Sequence, residues 1–402
     1  MSQGPAGAAT RPSVVRDRPT WLSYFQMGLF GYFLYAFGPS IALLRDDHGY
    51  TRTVASLHGT AMAVGAITMG LLGASVVRRI GRGPMLRLGS VAMSVGILVY
   101  TGFSPLALTL LGVFVASMGG TMIMVGINAF LPDRHGPDGP RAMSEAHAFG
   151  ATMGLLGPLA VGAGVALGWG WRPGLLATIV GLVVLEIVRG RRTEEFDSAH
   201  GHPDDEPGHA PRGPLPRLFW FALFVMAMCA GTEFSLTLWG SDLLRARAGL
   251  GGGAAAAALV TIVGGLAVGR AAGAPLVSRF DPDIVLMGTM GLTIVGFTVA
   301  WLSSSAVPML VGFTITGVGL GLQSPLGIGR AVIAAGGQAD RGAGLTSVTI
   351  GVASGLAPFA LAAVADHVGV HTAFLIVPVL MALGILLVRA EQVPLPEPVA
   401  EI

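Results

Sequence analysis

Long apolar stretches alternate with short polar ones along almost the whole of this 402-residue chain. Each apolar stretch holds roughly 20 residues, which is the length that an α-helix needs to cross the hydrocarbon core of a bilayer. The pattern therefore predicts twelve spanning helices, six on each side of a long polar segment. The predicted spans are 21–44, 54–77, 84–102, 105–131, 142–167, 171–188, 217–243, 254–277, 283–302, 306–332, 342–366 and 370–389.

The second half of the chain repeats the first at a constant offset of 200 residues. Leu43-Leu44-Arg45 recurs as Leu243-Leu244-Arg245, and Gly112 recurs as Gly312. An offset without drift indicates two copies of one helical unit, as in two-halved membrane transporters. We therefore predict an all-α membrane protein whose twelve transmembrane helices form two pseudo-symmetric six-helix bundles. The predicted parts are a tail 1–20, a bundle 21–189, a linker 190–216, a bundle 217–389 and a tail 390–402.

The composition supports a membrane protein and excludes several other classes. The chain is 52% apolar and 11% charged, whereas a soluble domain has about 25% charged residues. A net charge of +2 provides no electrostatic footprint for nucleic acid. The basic side chains apart from histidine are all arginine. This bias is typical of a GC-rich bacterial genome, so we expect the protein in a bacterial inner membrane.

The loop arginines predict the orientation of the spans. If the N-terminus is cytoplasmic, most of these arginines lie on the cytoplasmic side, as the positive-inside rule requires. Both termini and the linker 190–216 are then cytoplasmic. The histidines of the linker fit no standard metal-ligand spacing, so we interpret this segment as a solvated connection and not as a metal site.

Several glycine- and arginine-rich segments carry recognisable motifs. The segment from Gly73 to Arg82 resembles the loop between the second and third helices of the major facilitator superfamily of transporters. Glycines around Gly157-Pro158 resemble a helix-five motif that is frequent in exporters of that family, and 168–172 resembles its turn into helix six. The resemblance extends from about residue 20 to 390, and it implies two bundles that rock around a central site.

Physical reasons connect these motifs with motion. Glycines spaced three or four residues apart allow helix backbones to approach closely, and a proline inside a helix removes a backbone hydrogen bond and can kink it. Tight packing without motion is the alternative for any single glycine. The residues that we predict to act in gating or conformational change are Gly73, Arg78, Arg79, Gly81, Arg82, Gly157, Pro158 and Pro358.

Two ionisable residues fall near the middle of predicted spans. A charge placed there costs about 2.5–3.5 kcal/mol on insertion scales, so it marks a candidate functional site. Arg270, on the eighth span, offers a guanidinium fork to a carboxylate and resembles the helix-eight arginine of monocarboxylate and oxalate carriers. Glu233, on the seventh span, is our candidate for proton coupling. The alternative is that each residue only holds helices together.

Other polar residues in the spans are weaker candidates. Tyr32 and Tyr35 lie three residues apart on the first span, so both can line a pocket, and Asn128 and Gln323 can hydrogen-bond a substrate. We predict that these four contribute to substrate binding, with interhelical packing as the alternative.

Polar residues near the predicted span ends receive a different interpretation. We expect Asp242 to be a solvated helix terminus and Arg45-Asp46-Asp47 to form a solvated loop. His58, Glu145 and His147 are expected near the membrane interfaces, with gating or proton relay as the alternative.

These observations predict a secondary active transporter and not an enzyme, because no catalytic or nucleotide-binding motif is present in the sequence. The leading substrate class is a small, monocarboxylate-like organic anion, moved by alternating access with proton coupling. The alternatives are a proton-coupled exporter of drugs or metabolites, and a membrane receptor or scaffold that transports nothing. We expect no cofactor, no metal and no nucleic-acid partner, and we expect a monomer in the bilayer.

Overall fold

The computed structural model describes residues 14–192, 196, 213–336 and 338–391. In this part of the chain the regular structure is helical, with fifteen α-helices and one short 3-10 turn. The helices are α1 (Arg18–His48), α2 (Arg52–Ile80), α3 (Arg82–Gly102), α4 (Leu106–His135), α5 (Gly139–Gly154), α6 (Leu156–Ala166), α7 (Arg172–Arg189), α8 (Arg217–Ala248), α9 (Gly252–Ala258), α10 (Val260–Val277), α11 (Pro282–Leu302), α12 (Ala306–Ala334), α13 (Ala339–Val368), α14 (Val370–Ala373) and α15 (Ile376–Ala390).

The described helices confirm the predicted fold class. Eleven helical stretches are long and apolar enough to cross a membrane, and the remaining predicted span corresponds to the 18-residue helix α7. Three of the predicted spans consist of two helices each, namely α5 with α6, α9 with α10, and α14 with α15. The breaks between them fall at Leu155, Leu259 and Phe374-Leu375.

The internal repeat is visible in the backbone packing. A Cβ on Gly112 of α4 would lie 2.5 Å from the Tyr100 nitrogen of α3, and a Cβ on Gly312 of α12 would lie 2.5 Å from the Ala300 nitrogen of α11. In both places the backbones approach so closely that a larger residue would have to push them apart. The same glycine therefore produces the same helix pair in each half.

The turn between α2 and α3 is shorter than the sequence suggests. Helix α2 continues through Arg78 and Arg79, and the chain reverses at Gly81 alone, with φ of +82°. Glycine adopts this left-handed conformation without the steric penalty of a side chain. Arg82 then starts α3 and pairs with Asp133 of α4 at 2.5 Å, so this motif joins two helices of the same half.

The helix ends define two sides of the molecule. The tail side holds Asp17 and Gly81, and the opposite side holds Gly49 and Gly249. On the tail side, Asp17 caps α1 and accepts hydrogen bonds from Thr20 and from Arg134 at the end of α4. Burial alone would raise the pKa of the Asp17 carboxyl, but these hydrogen bonds outweigh it and hold that pKa below its ordinary value.

The linker lies mostly outside the described residues. Residues 190–192, 196 and 213–216 of it are described, and the buried Phe196 ring packs 5.1 Å from the Phe130 ring and 5.0 Å from the Arg189 guanidinium, measured at the ring centroids. Phe196 is therefore docked on the N-terminal half, next to α4 and α7.

Candidate functional site

The two halves pack tightly on the opposite side through α6 and α9. A Cβ on Gly162 would lie 2.6 Å from the Gly253 carbonyl oxygen and 2.7 Å from the Ala257 Cβ. Backbone atoms cannot move aside as a flexible side chain can, so this contact requires glycine. Gly162 is therefore the helix-five glycine that brings the two halves together.

Charged residues also connect the halves on the opposite side. Asp242 of α8 has only 2% of its side chain exposed and accepts from Arg45 of α1 and, at 3.0 Å, from Arg52 of α2. In the other direction, Arg245 of α8 donates to Asp46 of α1 at 2.6 Å. Together with Asp366, these residues are called the opposite-side cluster: Arg45, Asp46, Arg52, Asp242, Arg245 and Asp366.

Asp366 of α13 binds the start of α2 from the other half. Its carboxylate accepts from the backbone nitrogens of Arg52 and Thr53 at 3.1 and 2.9 Å, and from the Thr53 hydroxyl at 2.7 Å. The first amides of a helix have no partner within the helix and carry a partial positive charge. Asp366 therefore acts as an N-terminal cap supplied by the second half.

This cluster corrects two expectations from the sequence. Asp242 is not a solvated terminus, because it is buried between three arginines. Arg45, Asp46 and Asp47 do not form a solvated loop, because all three belong to α1, and Asp47 pairs with Arg172 at 2.9 Å. The sequence indicated charged ends but could not show that the ends of both halves meet.

The tail side is joined by fewer bonds between the halves. Among described residues, the hydrogen bonds between the halves are concentrated near the opposite side, from the cluster down to Thr60, whose hydroxyl donates to the Gly355 carbonyl at 3.3 Å, and Tyr35 also interacts with Arg270. Arg270 of α10 keeps 39% of its side chain exposed although it lies within a span. From this exposure we infer a cavity between the halves that is reached from the tail side, next to α5 and α10.

Glu233 and Arg270 meet in this cavity. The Arg270 Nη2 lies 3.6 Å from Glu233 Oε1, and the Ser324 hydroxyl of α12 donates to Glu233 Oε2 at 3.1 Å. The Tyr35 hydroxyl, from α1 of the other half, interacts electrostatically with both charged groups. The wall next to Glu233 contains the apolar side chains of Leu34, Met62, Phe234 and Leu238, together with Tyr35 and Thr237.

The N-terminal half contributes a second polar pair to the cavity. His147 of α5 and Asn128 of α4 form a hydrogen bond of 3.0 Å between Nε2 and Oδ1. The His147 ring is exposed and lies within electrostatic range of the Arg270 guanidinium. His147 was expected near a membrane interface, but the structure places it opposite Arg270.

Two predicted substrate ligands lie elsewhere. The Tyr32 hydroxyl donates to the Gly174 carbonyl of α7 at 2.6 Å, and Tyr32 is buried inside its own half. Gln323 is also buried, and its amide donates to the Thr293 hydroxyl of α11 at 2.9 Å. Both residues thus form hydrogen bonds to a neighbouring helix of their own half.

Three further residues lie apart from the cavity centre. His58 is fully buried, and its Nε2 hydrogen-bonds the Thr109 hydroxyl at 2.9 Å, near the starts of α2 and α4. Glu145 lies near the tail side, as expected, and forms an ion pair with Arg16 at 2.9 Å. Gly157 packs on α1, where its Cβ would lie 2.6 Å from the Tyr32 carbonyl, so it contacts its own half.

The sequence analysis did not single out Arg52, Asp366 or Ser324. A mismatch between the two repeats could have identified Asp366, and it also marks Asp242. Both carboxylates break the 200-residue repeat, because Asp366 corresponds to Ala166 and Asp242 to Ala42. The same mismatch singled out Arg270 opposite Gly70 and Glu233 opposite Phe33. A charge present in only one half marks places where the halves perform different tasks.

Comparison with known proteins identifies the type of fold. A family model of the Major Facilitator Superfamily matches residues 20–273. No curated protein matches the sequence significantly. Among solved structures, a bacterial homologue of the human lysosomal transporter Spinster is 12% identical with a TM-score of 0.71, over 94% of this chain and 97% of that one.

Two more solved structures have the same overall arrangement. The transporter FucP in its outward conformation is 16% identical with a TM-score of 0.63, over 93% of this chain and 98% of that one. The human organic anion transporter MFSD10 is 16% identical with a TM-score of 0.63, over 92% of this chain and 98% of that one. At these identities the likeness is one of fold.

Proposed function

Because the chain belongs to the Major Facilitator Superfamily, we propose that it is a secondary active transporter that moves a small organic anion together with protons. The anion is monocarboxylate-like and binds in the cavity between the two halves. The tail side is the cytoplasmic side of a bacterial inner membrane, in keeping with the arginines of the loops. The protein then works by alternating access around this cavity.

The pair formed by Arg270 and Glu233 carries this proposal. Its 3.6 Å separation is longer than a charge-assisted hydrogen bond, and Arg270 remains partly exposed to the cavity. A guanidinium inside a membrane protein needs a counter-ion, because an unpaired buried charge is costly. Glu233 supplies that counter-ion in the absence of substrate, and a substrate carboxylate can supply it instead.

Exchange between these two carboxylates couples the anion to a proton. When Glu233 binds a proton, it loses its charge, and Arg270 becomes available to a substrate carboxylate. The Ser324 hydroxyl holds the other oxygen of Glu233 in place during this exchange. Loss of the proton restores the internal pair and expels the anion. Anion and proton therefore bind together and leave together.

The structural neighbours are compatible with this substrate class but do not select it. The human organic anion transporter MFSD10 has the same fold, and so do a nucleoside transporter, NupG, and a fucose:proton symporter from E. coli, FucP. The proposal therefore depends on the charges in the cavity of this chain.

A proton-coupled exporter is the second candidate, and one observation favours it. Four of the six side chains around Glu233 are apolar, namely Leu34, Met62, Phe234 and Leu238, which suits an amphiphilic cation better than a small anion. On that interpretation Glu233 would bind the cation and Arg270 would be dispensable. The anion transporter therefore requires Arg270 more than Glu233, and the exporter requires Glu233 more than Arg270.

The test is transport by purified protein in proteoliposomes with an imposed proton gradient. Arg270→Gln should abolish uptake of labelled monocarboxylates, because a neutral amide cannot balance the carboxylate charge. Glu233→Gln should keep anion exchange and lose the response to the gradient. Arg279→Gln, an exposed arginine just beyond the end of α10, is the matched control and should transport normally.

Two results would contradict the proposal. Full anion uptake by folded Arg270→Gln protein would show that Arg270 does not bind the anion. Loss of resistance to toxic cations in Glu233→Gln, with normal resistance in Arg270→Gln, would favour the exporter.

A further inference from the structure

We propose that Asn128 and His147 form a second recognition point, which binds an oxygen atom on the end of the substrate that Arg270 does not hold. This inference rests on the proposed function, because it requires a carboxylate on Arg270. It narrows the substrate class to short carboxylates that carry a second oxygen acceptor, such as a hydroxyl or another carboxylate. Plain alkyl carboxylates then bind more weakly.

Position along the helices supports this assignment. His147 lies eight residues after the start of α5 at Gly139, and Arg270 lies seven residues before the end of α10 at Val277. With about 1.5 Å of rise per residue, both lie roughly 10–12 Å from the tail-side ends of their helices. The two side chains therefore lie at similar depth on opposite walls of the cavity, within electrostatic range of each other.

The hydrogen-bonding capacity of the pair is only partly used. When His147 Nε2 donates to Asn128 Oδ1, the Asn128 amide nitrogen keeps both of its donors. Within the described part of the chain, no protein group accepts from that nitrogen. Gln323 differs, because it is buried and its amide nitrogen is bound to Thr293. Asn128 and His147 therefore fix each other's orientation and still offer donors to a ligand.

When the cavity closes, these donors make the binding affinity depend on whether the substrate carries a second oxygen. While the tail side is open, water can satisfy the Asn128 amide. After closure around an alkyl chain, the amide has no acceptor, and an unsatisfied buried donor costs about 1–3 kcal/mol, which is a factor of roughly 5–150 in affinity. A substrate oxygen removes this penalty. Sites built to bind an oxygen reject analogues that lack it for the same reason.

The repeat shows that the two recognition points belong to different halves. Asn128 corresponds to Ile328 and His147 to Ser347 in the second half, whereas Arg270 corresponds to Gly70 in the first. A substrate with two oxygen-bearing ends therefore bridges the halves, and one with a single end contacts the second half only. Only a substrate that bridges the halves stabilises the conformation in which the tail side is closed.

The experiment compares three labelled acids in proteoliposomes: propionate, the same acid with a terminal hydroxyl, and malonate. The wild type should have a KM for the two oxygen-bearing acids that is at least about fivefold lower than for propionate. Asn128→Leu and His147→Phe should make the KM values of the three acids converge, because each variant weakens binding of the second oxygen and Asn128→Leu also removes the unsatisfied donor that penalises propionate. His147→Gln, which keeps a donor, should retain part of the preference.

Controls separate this inference from the proposed function. His367→Phe changes an exposed histidine near the opposite-side end of α13 and should behave as wild type. If Arg270→Gln abolishes all uptake but the wild type treats the three acids alike, or Asn128→Leu keeps the preference, the second recognition point is wrong and the proposed function stands. If the wild type transports none of them, or Arg270→Gln transports all of them, the proposed function itself is wrong. Should His147→Phe fail to fold, Asn128→Leu and His147→Gln decide.

Discussion

The two sides of the membrane-spanning region differ in how the halves meet. On the opposite side, α6 and α9 touch backbone to backbone, and the opposite-side cluster pairs charges across the halves. On the tail side, Arg270 of α10 is partly exposed next to Glu233. The interactions that hold this conformation are thus concentrated away from the predicted substrate site.

This difference indicates that the opposite-side cluster stabilises the conformation in which the opposite side is closed. Hydrogen-bonded ion pairs and close glycine contacts require their atoms to touch, so they stabilise the closed side only while it stays closed. In the proposed mechanism, substrate binding in the cavity must overcome them to open the opposite side. When two conformations differ in free energy by a few kcal/mol, an interaction of that size can reverse which of them is more populated.

Distances between spin labels provide the common measurement for this comparison. Ser104 and Ser304 are exposed repeat partners on the opposite side, and Arg79 and Arg279 are exposed repeat partners on the tail side. Cysteines at each pair, in a protein whose native Cys229 is replaced by Ala, report the opening of each side separately.

The largest expected effect is that of Asp242→Asn. Removal of this carboxylate leaves Arg45 and Arg52 close together without their shared counter-ion, and breaking a buried pair costs about 3–5 kcal/mol. We expect the Ser104–Ser304 distance to lengthen and the Arg79–Arg279 distance to shorten.

The control for this change is Asp17→Asn, which breaks an ion pair with Arg134 inside one half. It should lower the melting temperature without altering either distance.

Because the pKa of Asp17 is below its ordinary value, the contribution of this carboxylate to stability is complete above the ordinary aspartate pKa. That contribution is lost as the pH falls through the lowered pKa. Unchanged distances in Asp242→Asn would show that the cluster does not set the conformation.

A smaller shift is expected from Gly162→Ala. The new Cβ would lie 2.6 Å from the Gly253 carbonyl oxygen, and overpacking of this kind costs about 1–3 kcal/mol. The clash exists only while α6 and α9 are packed, so the opposite-side distance should again lengthen. Gly70→Ala is the matched control, because a Cβ at Gly70 meets nothing within 4 Å among the described atoms. Equal behaviour of the two variants would contradict the role of Gly162.

The smallest shift is expected from Asp366→Asn. An amide oxygen can still accept from the first turn of α2, so the variant loses the charge but keeps part of the cap. Loss of a cap costs about 0.5–2 kcal/mol, and we expect a partial lengthening of the Ser104–Ser304 distance. A shift larger than that of Asp242→Asn would reverse the order that the burial of the two carboxylates predicts.

The sequence predicted some parts of the site better than others. Arg270 and Glu233 were identified because charges are costly in a bilayer, and the structure brings them together. Tyr32 and Gln323 were selected by polarity alone, and the structure places both in bonds between neighbouring helices. Polarity within a span shows that a residue needs a partner but not whether that partner is protein or substrate.

By itself, the sequence determined the number of spans, their grouping into two repeated halves and the existence of charges inside the membrane. These features depend on span length, on apolar composition and on the 200-residue offset, which are all local along the chain. Only the tertiary structure decided which side is closed and that Asp242, Asp366 and their arginines meet across the halves. Such contacts join residues about 190–310 positions apart, and their geometry depends on how two rigid bundles are tilted.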